Sequence, residues 1–166
     1  MRKERRSSNR PQLSSDSEAL AELWRACGQP RVAHRLADRL LPPEAYPHTR
    51  GVAQQAARLV HLEALEARRR QPILAASWLH DLGVSGAGAL ATAQAVRASG
   101  HEGLARVIAH QVGAAERHPP DLLPGARFLR PDGESVQTLA ALDVAILTTD
   151  QAGRRATPRE TVAEIA

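Results

Sequence analysis

A chain with only four aromatic residues, two Trp, one Tyr and one Phe, must build its core from small aliphatic side chains. Hydrophobic residues still make up 43% of the sequence, mostly Leu, Ala, Val and Ile, so there is enough apolar surface for a packed core. That mixture favours helices over strands. Nowhere does the chain alternate apolar and polar residues with the β-branched content of a half-buried strand. It also lacks the aromatic platform on which single-stranded nucleic acids stack. The expected fold class is all-α, a bundle of about seven to eight helices with short links.

Punctuation along the chain supports this. Residues 1–16 are polar, basic and Ser-rich and are expected to form a disordered tail, with the folded domain spanning 17–166. A helix is expected from near Ser17 to Gly28, with Leu20, Leu23 and Trp24 on one stripe. A second covers 30–41 and is stopped by Pro42-Pro43. A third, over about 48–68, turns Val52, Ala56, Leu59, Val60 and Leu62 toward the core. The next spans about 71–82, with Pro72 in its first turn. Further helices are expected at about 88–98, 102–113 and 134–149, with a Pro-rich loop over about 117–133. A last one opens at Thr157-Pro158, where Glu160 holds the capping-box position.

The net charge is +4, carried almost wholly by Arg, with Lys3 the sole lysine. Two clusters, residues 2–6 and Arg68-Arg69-Arg70, suit contact with an anionic ligand or nucleic acid. They equally suit a solubilising tail and a basic helix C-terminus that complements the dipole, and nucleic acid is not expected among the partners. Cys27 is alone, which excludes an internal disulfide and any Cys-based zinc cluster, and it is expected to be inert. No apolar stretch reaches the length of a membrane span and no signal-peptide core follows the start, so a soluble cytoplasmic protein is expected.

Candidate chemistry gathers at His80-Asp81, which closes the apolar run "ILAASWLHDLG". Imidazole and carboxylate are both good ligands for a divalent metal ion. Neighbouring helical residues point about 100° apart, so both reach one ion only near a helix end, which Gly83 can supply. His48 opens the helical run "YPHTRGVAQQAARLV". Gly51, one turn further on, costs helix stability unless another backbone comes close. Asp143 is the one polar residue in "LAALDVAIL" and needs a partner there.

These segments resemble the HD superfamily of metal-dependent phosphohydrolases, and small bacterial single-domain members above all. The likeness covers about residues 34–166, since "GLARVIAHQVGA" and "VAILTTDQAGRRATPRETVAEI" are similar to further segments of that family in the same order. The resemblance implies an all-helical domain with His48, His80 and Asp81 in three of four core ligand positions. It implies His110 as the first residue of the family's His-His pair, serving a second metal or the substrate phosphate.

Three positions depart from the family. Gln111 replaces the second His of the pair. The segment "GAGALATAQAVR" lacks the family's His. Ile146 falls where the distal Asp ligand belongs. Asp143 and Asp150 lie one helical turn to either side of Ile146. Asp143 is the candidate to complete the metal site; Asp150 is expected at a helix end or in a loop. His101 is a candidate stand-in for the missing His, whereas His34, His61 and His118 are expected at the surface.

Two functions follow from the resemblance. In the first, a divalent Mn, Fe, Ni, Zn or Mg ion on His48, His80, Asp81 and Asp143 activates water against a nucleotide or another small phosphate ester, with His110 or Arg50 balancing phosphoryl charge. In the second, a degenerate HD fold binds a ligand or partner without catalysis. The few ligands for a second metal argue against oxidative di-iron chemistry.

Overall fold

The protein is described by a computed structural model that covers residues 12–82, 88–112 and 133–160. Seven α-helices follow one another among these residues: α1 (Gln12–Arg25), α2 (Pro30–Leu40), α3 (Tyr46–Leu62), α4 (Ala67–Leu79), α5 (Gly88–Ala98), α6 (Glu102–His110) and α7 (Glu134–Leu147). A helical turn at 158–160 comes last. No strand occurs among the described residues, only an isolated antiparallel bridge between Thr149 and Arg155. The all-α bundle of seven to eight helices is thus the observed architecture.

The aliphatic composition explains how α4 reaches the middle. It packs against α2, α3, α6 and α7. Its buried residues, Ile73, Ala75, Ala76, Ser77 and Leu79, encircle the helix instead of forming one stripe. From Pro72 onward α4 is apolar but for Ser77, as a helix segment enclosed by others must be, and its small residues let neighbouring backbones come close. Val52, Ala56 and Val60 of α3, Val96 of α5, Val107 and Ile108 of α6, and Leu142 and Ala145 of α7 complete the core. Among the described residues, no helix is long and apolar enough to cross a membrane.

Several boundaries differ from expectation. α1 begins at Gln12, inside the segment expected to be tail. α3 stops at Leu62 because Ala64 adopts a left-handed φ of 48°, and the Leu65 N–H then donates back to the Val60 carbonyl at 3.3 Å. That turn carries Leu62 out to 76% exposure, against the expectation that it faces the core. Its usual marker is glycine, absent here. Ala64→Gly is therefore expected to stabilise the fold by about 0.5–1 kcal/mol. A rise of roughly 2–4 °C in Tm would match this.

α4 consequently starts at Ala67, so Arg68, Arg69 and Arg70 occupy its first turn and not a helix C-terminus. Cations there oppose the dipole. Pro72 lies beyond the first turn, inside the helix. α6 stops at His110, since Gln111 is extended (φ −60°, ψ 157°) and its side-chain Nε2 donates to the His80 carbonyl at 2.7 Å.

Other expectations hold. Leu41 is extended ahead of Pro42, which ends α2. The capping box forms: the Thr157 N–H donates to Glu160 Oε2 at 2.7 Å and the Glu160 N–H to Thr157 Oγ1 at 3.4 Å. Cys27 is free and fully buried, and burial pushes its thiol up to about 11, which leaves it unreactive.

Candidate functional site

The site begins where α3 starts. Gly51 lies against the loop that follows α7, and a methyl group there would run into the backbone of Gly153. Gly153 in turn adopts φ 77°, and a methyl group on it would strike the Pro47 carbonyl. This contact is the close approach that a glycine one turn into α3 had suggested. The loop is a small hairpin. The Asp150 N–H donates to the Arg154 carbonyl at 2.9 Å, and the Ala156 N–H to the Thr148 carbonyl at 3.0 Å.

The hairpin holds His48. Its Nδ1 lies 2.9 Å from the Asp150 carbonyl oxygen, and the residue is buried. A carbonyl only accepts, so the proton sits on Nδ1. His80 follows the same rule, with Nδ1 at 3.0 Å from the Ser77 carbonyl. α4 ends at Leu79, leaving His80 at the cap and Asp81 in the turn after it, half-buried. A helix end does stand beside the His-Asp pair, but about three residues before the expected one at 82, and Gly83 lies outside the described residues. The two imidazole rings lie 5.6 Å apart between centroids, tilted by 60°. Their N–H protons are consumed by carbonyls, which leaves Nε2 as each ring's coordinating or hydrogen-bonding atom.

Gln111 borders this pair through its bond to the His80 carbonyl. Its Oε1 is buried and meets no donor among the described residues. His110 ends α6 and is half-buried, while Arg50 is exposed on α3. His118 lies outside the described residues.

The two acids flanking Ile146 are used elsewhere. Asp143 Oδ1 accepts the Val112 N–H at 2.8 Å, which ties α7 to the end of α6. Asp150 lies in the hairpin, as expected for a loop residue. Its carboxylate accepts the Arg154 N–H at 2.7 Å and pairs with Arg154 Nε at 2.8 Å, and these bonds hold its carboxyl below the usual range. Ile146 itself is buried in the core. Among the described residues, no three His, Cys, Asp or Glu side chains stand together as metal ligands. Two carbonyl-anchored imidazoles suit a divalent ion, but among the described residues no third His, Cys, Asp or Glu side chain completes a group with them. The residues present therefore do not fit the ligand set that the resemblance implied.

His101 is not a stand-in either. Its Nε2 donates to the Arg25 carbonyl at 2.9 Å, capping α1. It also precedes α6, about 13 Å along that helix from His110. His34 is exposed as expected, yet it has a role that periodicity did not reveal. It stacks on Trp78 at 4.2 Å and bonds Tyr46 Oη at 3.0 Å, packing an aromatic cluster where α2, α3 and α4 meet. His61 is exposed.

Burial raises the Asp143 carboxyl above its ordinary value, with the Val112 N–H opposing that shift. A raised acid binds its proton more tightly in the fold than in the unfolded chain. Its contribution to stability is then full below the unfolded value of 3.8 and is lost as pH rises through the folded one. Asp143→Asn removes the charge and keeps an oxygen for the Val112 N–H. The variant is expected to be more stable than wild type at about pH 7, with the margin vanishing toward about pH 3. Urea midpoints at the two pH values check this, and a variant less stable at neutral pH would contradict it.

Compared with known proteins, the chain matches no family model, no curated protein and no solved structure.

Proposed function

We propose that this chain is a catalytically degenerate HD-type domain that binds a small phosphorylated ligand at the His48–His80 centre. The observation that carries this reading is the use made of the acids around Ile146. Asp143 is committed to the Val112 N–H and Asp150 to Arg154. Neither supports the role of a distal ligand. What the centre offers is two anchored imidazoles, with the buried Gln111 oxygen beside them. Protonation at Nε2 turns an anchored imidazole into a charged donor for a phosphate oxygen. His110, at the end of α6, and Arg50, on the outer face of α3, are assigned to the remaining phosphate charge. A cytoplasmic location belongs to this reading.

The metal-dependent phosphohydrolase is the second reading, and one observation favours it. Metal-bound histidines are commonly oriented by a carbonyl on the other ring nitrogen, and both His48 and His80 have that hold. The ligands in that reading are His48, His80, Asp81 and Asp143.

Nucleoside mono-, di- and triphosphates, titrated with and without Mn2+, separate the two. The binding reading expects a saturable rise in Tm that chelator leaves unchanged, with no phosphate released. At 100-fold excess over Kd the stabilisation should be about 2.7 kcal/mol. It should be lost in His48→Leu, judged against the apo Tm of that variant. Metal-dependent release of phosphate that disappears in His80→Ala would replace this reading with the hydrolase.

A further inference from the structure

The outward sides of α2 and α3 form a basic face that does not depend on the reading of the His48–His80 centre. On α2, Arg31, Arg35 and Arg39 are exposed every fourth residue, a row with about 6 Å between successive positions. On α3, Arg50 and Arg58 are exposed along one row with Gln54 between them, and the helix holds no acidic residue from Tyr46 to Leu62. The two rows adjoin. His34, one residue before Arg35, bonds Tyr46 Oη at 3.0 Å, and Tyr46 is one turn before Arg50. Asp38 on α2 and Glu44 in the turn between the helices are the exposed acids beside the face, and Asp16 of α1 pairs with Arg39 at 3.6 Å. Arg58 donates to the neutral Gln55 Oε1 at 3.4 Å. The arginines stand one or two helical turns apart, so no run of basic residues marks this face in the sequence.

The rest of the surface defines the partner. Like charges held side by side repel, and they call for an anion. A protein partner would meet an apolar centre in the contact patch, and a helix lying in a membrane surface needs a free apolar side. Here the apolar sides of both helices are spent on the core, through Ala33 and Leu36 of α2 and Val52, Ala56 and Val60 of α3. The exposed leucines, Leu40 and Leu62, are the last residues of the two helices. Interfaces with nucleic acid are instead polar and strongly positive. Arginine suits phosphate in particular, through paired N–H donors. Tyr46 and Trp78 are half-buried and engaged with His34, so they are not an open platform for unstacked bases.

We infer that the α2–α3 face binds the phosphate backbone of a nucleic-acid duplex without reading its sequence. Arg31, Arg35 and Arg58 supply the phosphate contacts. Nucleic acid was not expected from the two contiguous basic clusters of the sequence; the face assembled by folding is what points to it.

Fluorescence anisotropy of a labelled DNA duplex of about 20 base pairs, titrated with the full chain at about 50 to 200 mM NaCl, reads this contact. The expected result is saturable binding that weakens as salt rises. Arg31→Gln together with Arg35→Gln should weaken binding by about tenfold or more at the lowest salt, and lower the slope of log Kd against log salt by about two. Arg97→Gln together with Arg106→Gln removes the same charge from α5 and α6, helices packed chiefly on each other, and should leave Kd within about threefold of wild type. The basic residues at 2–6 and Arg50 are unchanged in both variants, so the difference between them reports the α2–α3 face. Circular dichroism confirms that each variant is folded. No binding at low salt, wild-type binding by the folded Arg31→Gln/Arg35→Gln variant, or equal weakening in both double variants would overturn the proposal. So would displacement of the duplex by phosphatidylserine vesicles or by polyglutamate at equal charge concentration, which would give the face to a membrane or to an acidic protein.

Discussion

Gly51→Ala is expected to destabilise the protein by about 2–4 kcal/mol, the cost of forcing a methyl group into packed backbone. The obstacle is the Gly153 backbone, which cannot rotate aside as a side chain could. Intrinsic propensity predicts the opposite sign, since alanine in place of a mid-helix glycine gains about 1 kcal/mol. The sign of the change therefore decides between a contact-driven and a propensity-driven glycine. A fall in Tm of roughly 5–15 °C supports the contact. The same contact holds the hairpin that presents the Asp150 carbonyl to His48, so ligand affinity at the His48–His80 centre should fall with stability.

Leu79→Ala is expected to cost about 2–5 kcal/mol, the range for a fully buried leucine whose cavity cannot collapse. Leu79 has no exposed surface and sits on the central helix, one residue before His80. Four other helices pack against α4, so the cavity is braced from several sides. A lower urea midpoint with an unchanged m-value would report lost packing alone. A loss below about 1 kcal/mol would mean that this part of α4 is less tightly enclosed than described.

The sequence was most informative where local chemistry and tertiary structure agree. Pro42-Pro43 and the Thr157–Glu160 box are local signals, and each is found where expected. Gly51 announced a close neighbour but not its identity, because Gly153 lies 102 positions further along the chain. The partner of His48 was illegible for a deeper reason. It is the backbone carbonyl of Asp150, and any residue type supplies one. Asp143 was rightly expected to need a partner, yet the partner of its Oδ1 is again a backbone group, the Val112 N–H. The α3–α4 break escaped the pattern because Ala64 takes a conformation that usually marks glycine. That one break moved Arg68, Arg69 and Arg70 from the expected helix end to a helix start.

Elemental analysis of the full chain purified without chelator, then soaked in Mn2+ or Zn2+ and desalted, tests the degenerate centre most directly. With Asp143 and Asp150 committed elsewhere, wild type should retain far less than one equivalent of metal, as little as His80→Ala retains. About one equivalent of Mn, Fe, Ni or Zn in wild type, lost in both His80→Ala and Asp143→Ala, would mean that the four ligands assemble after all and that the centre is a metal site.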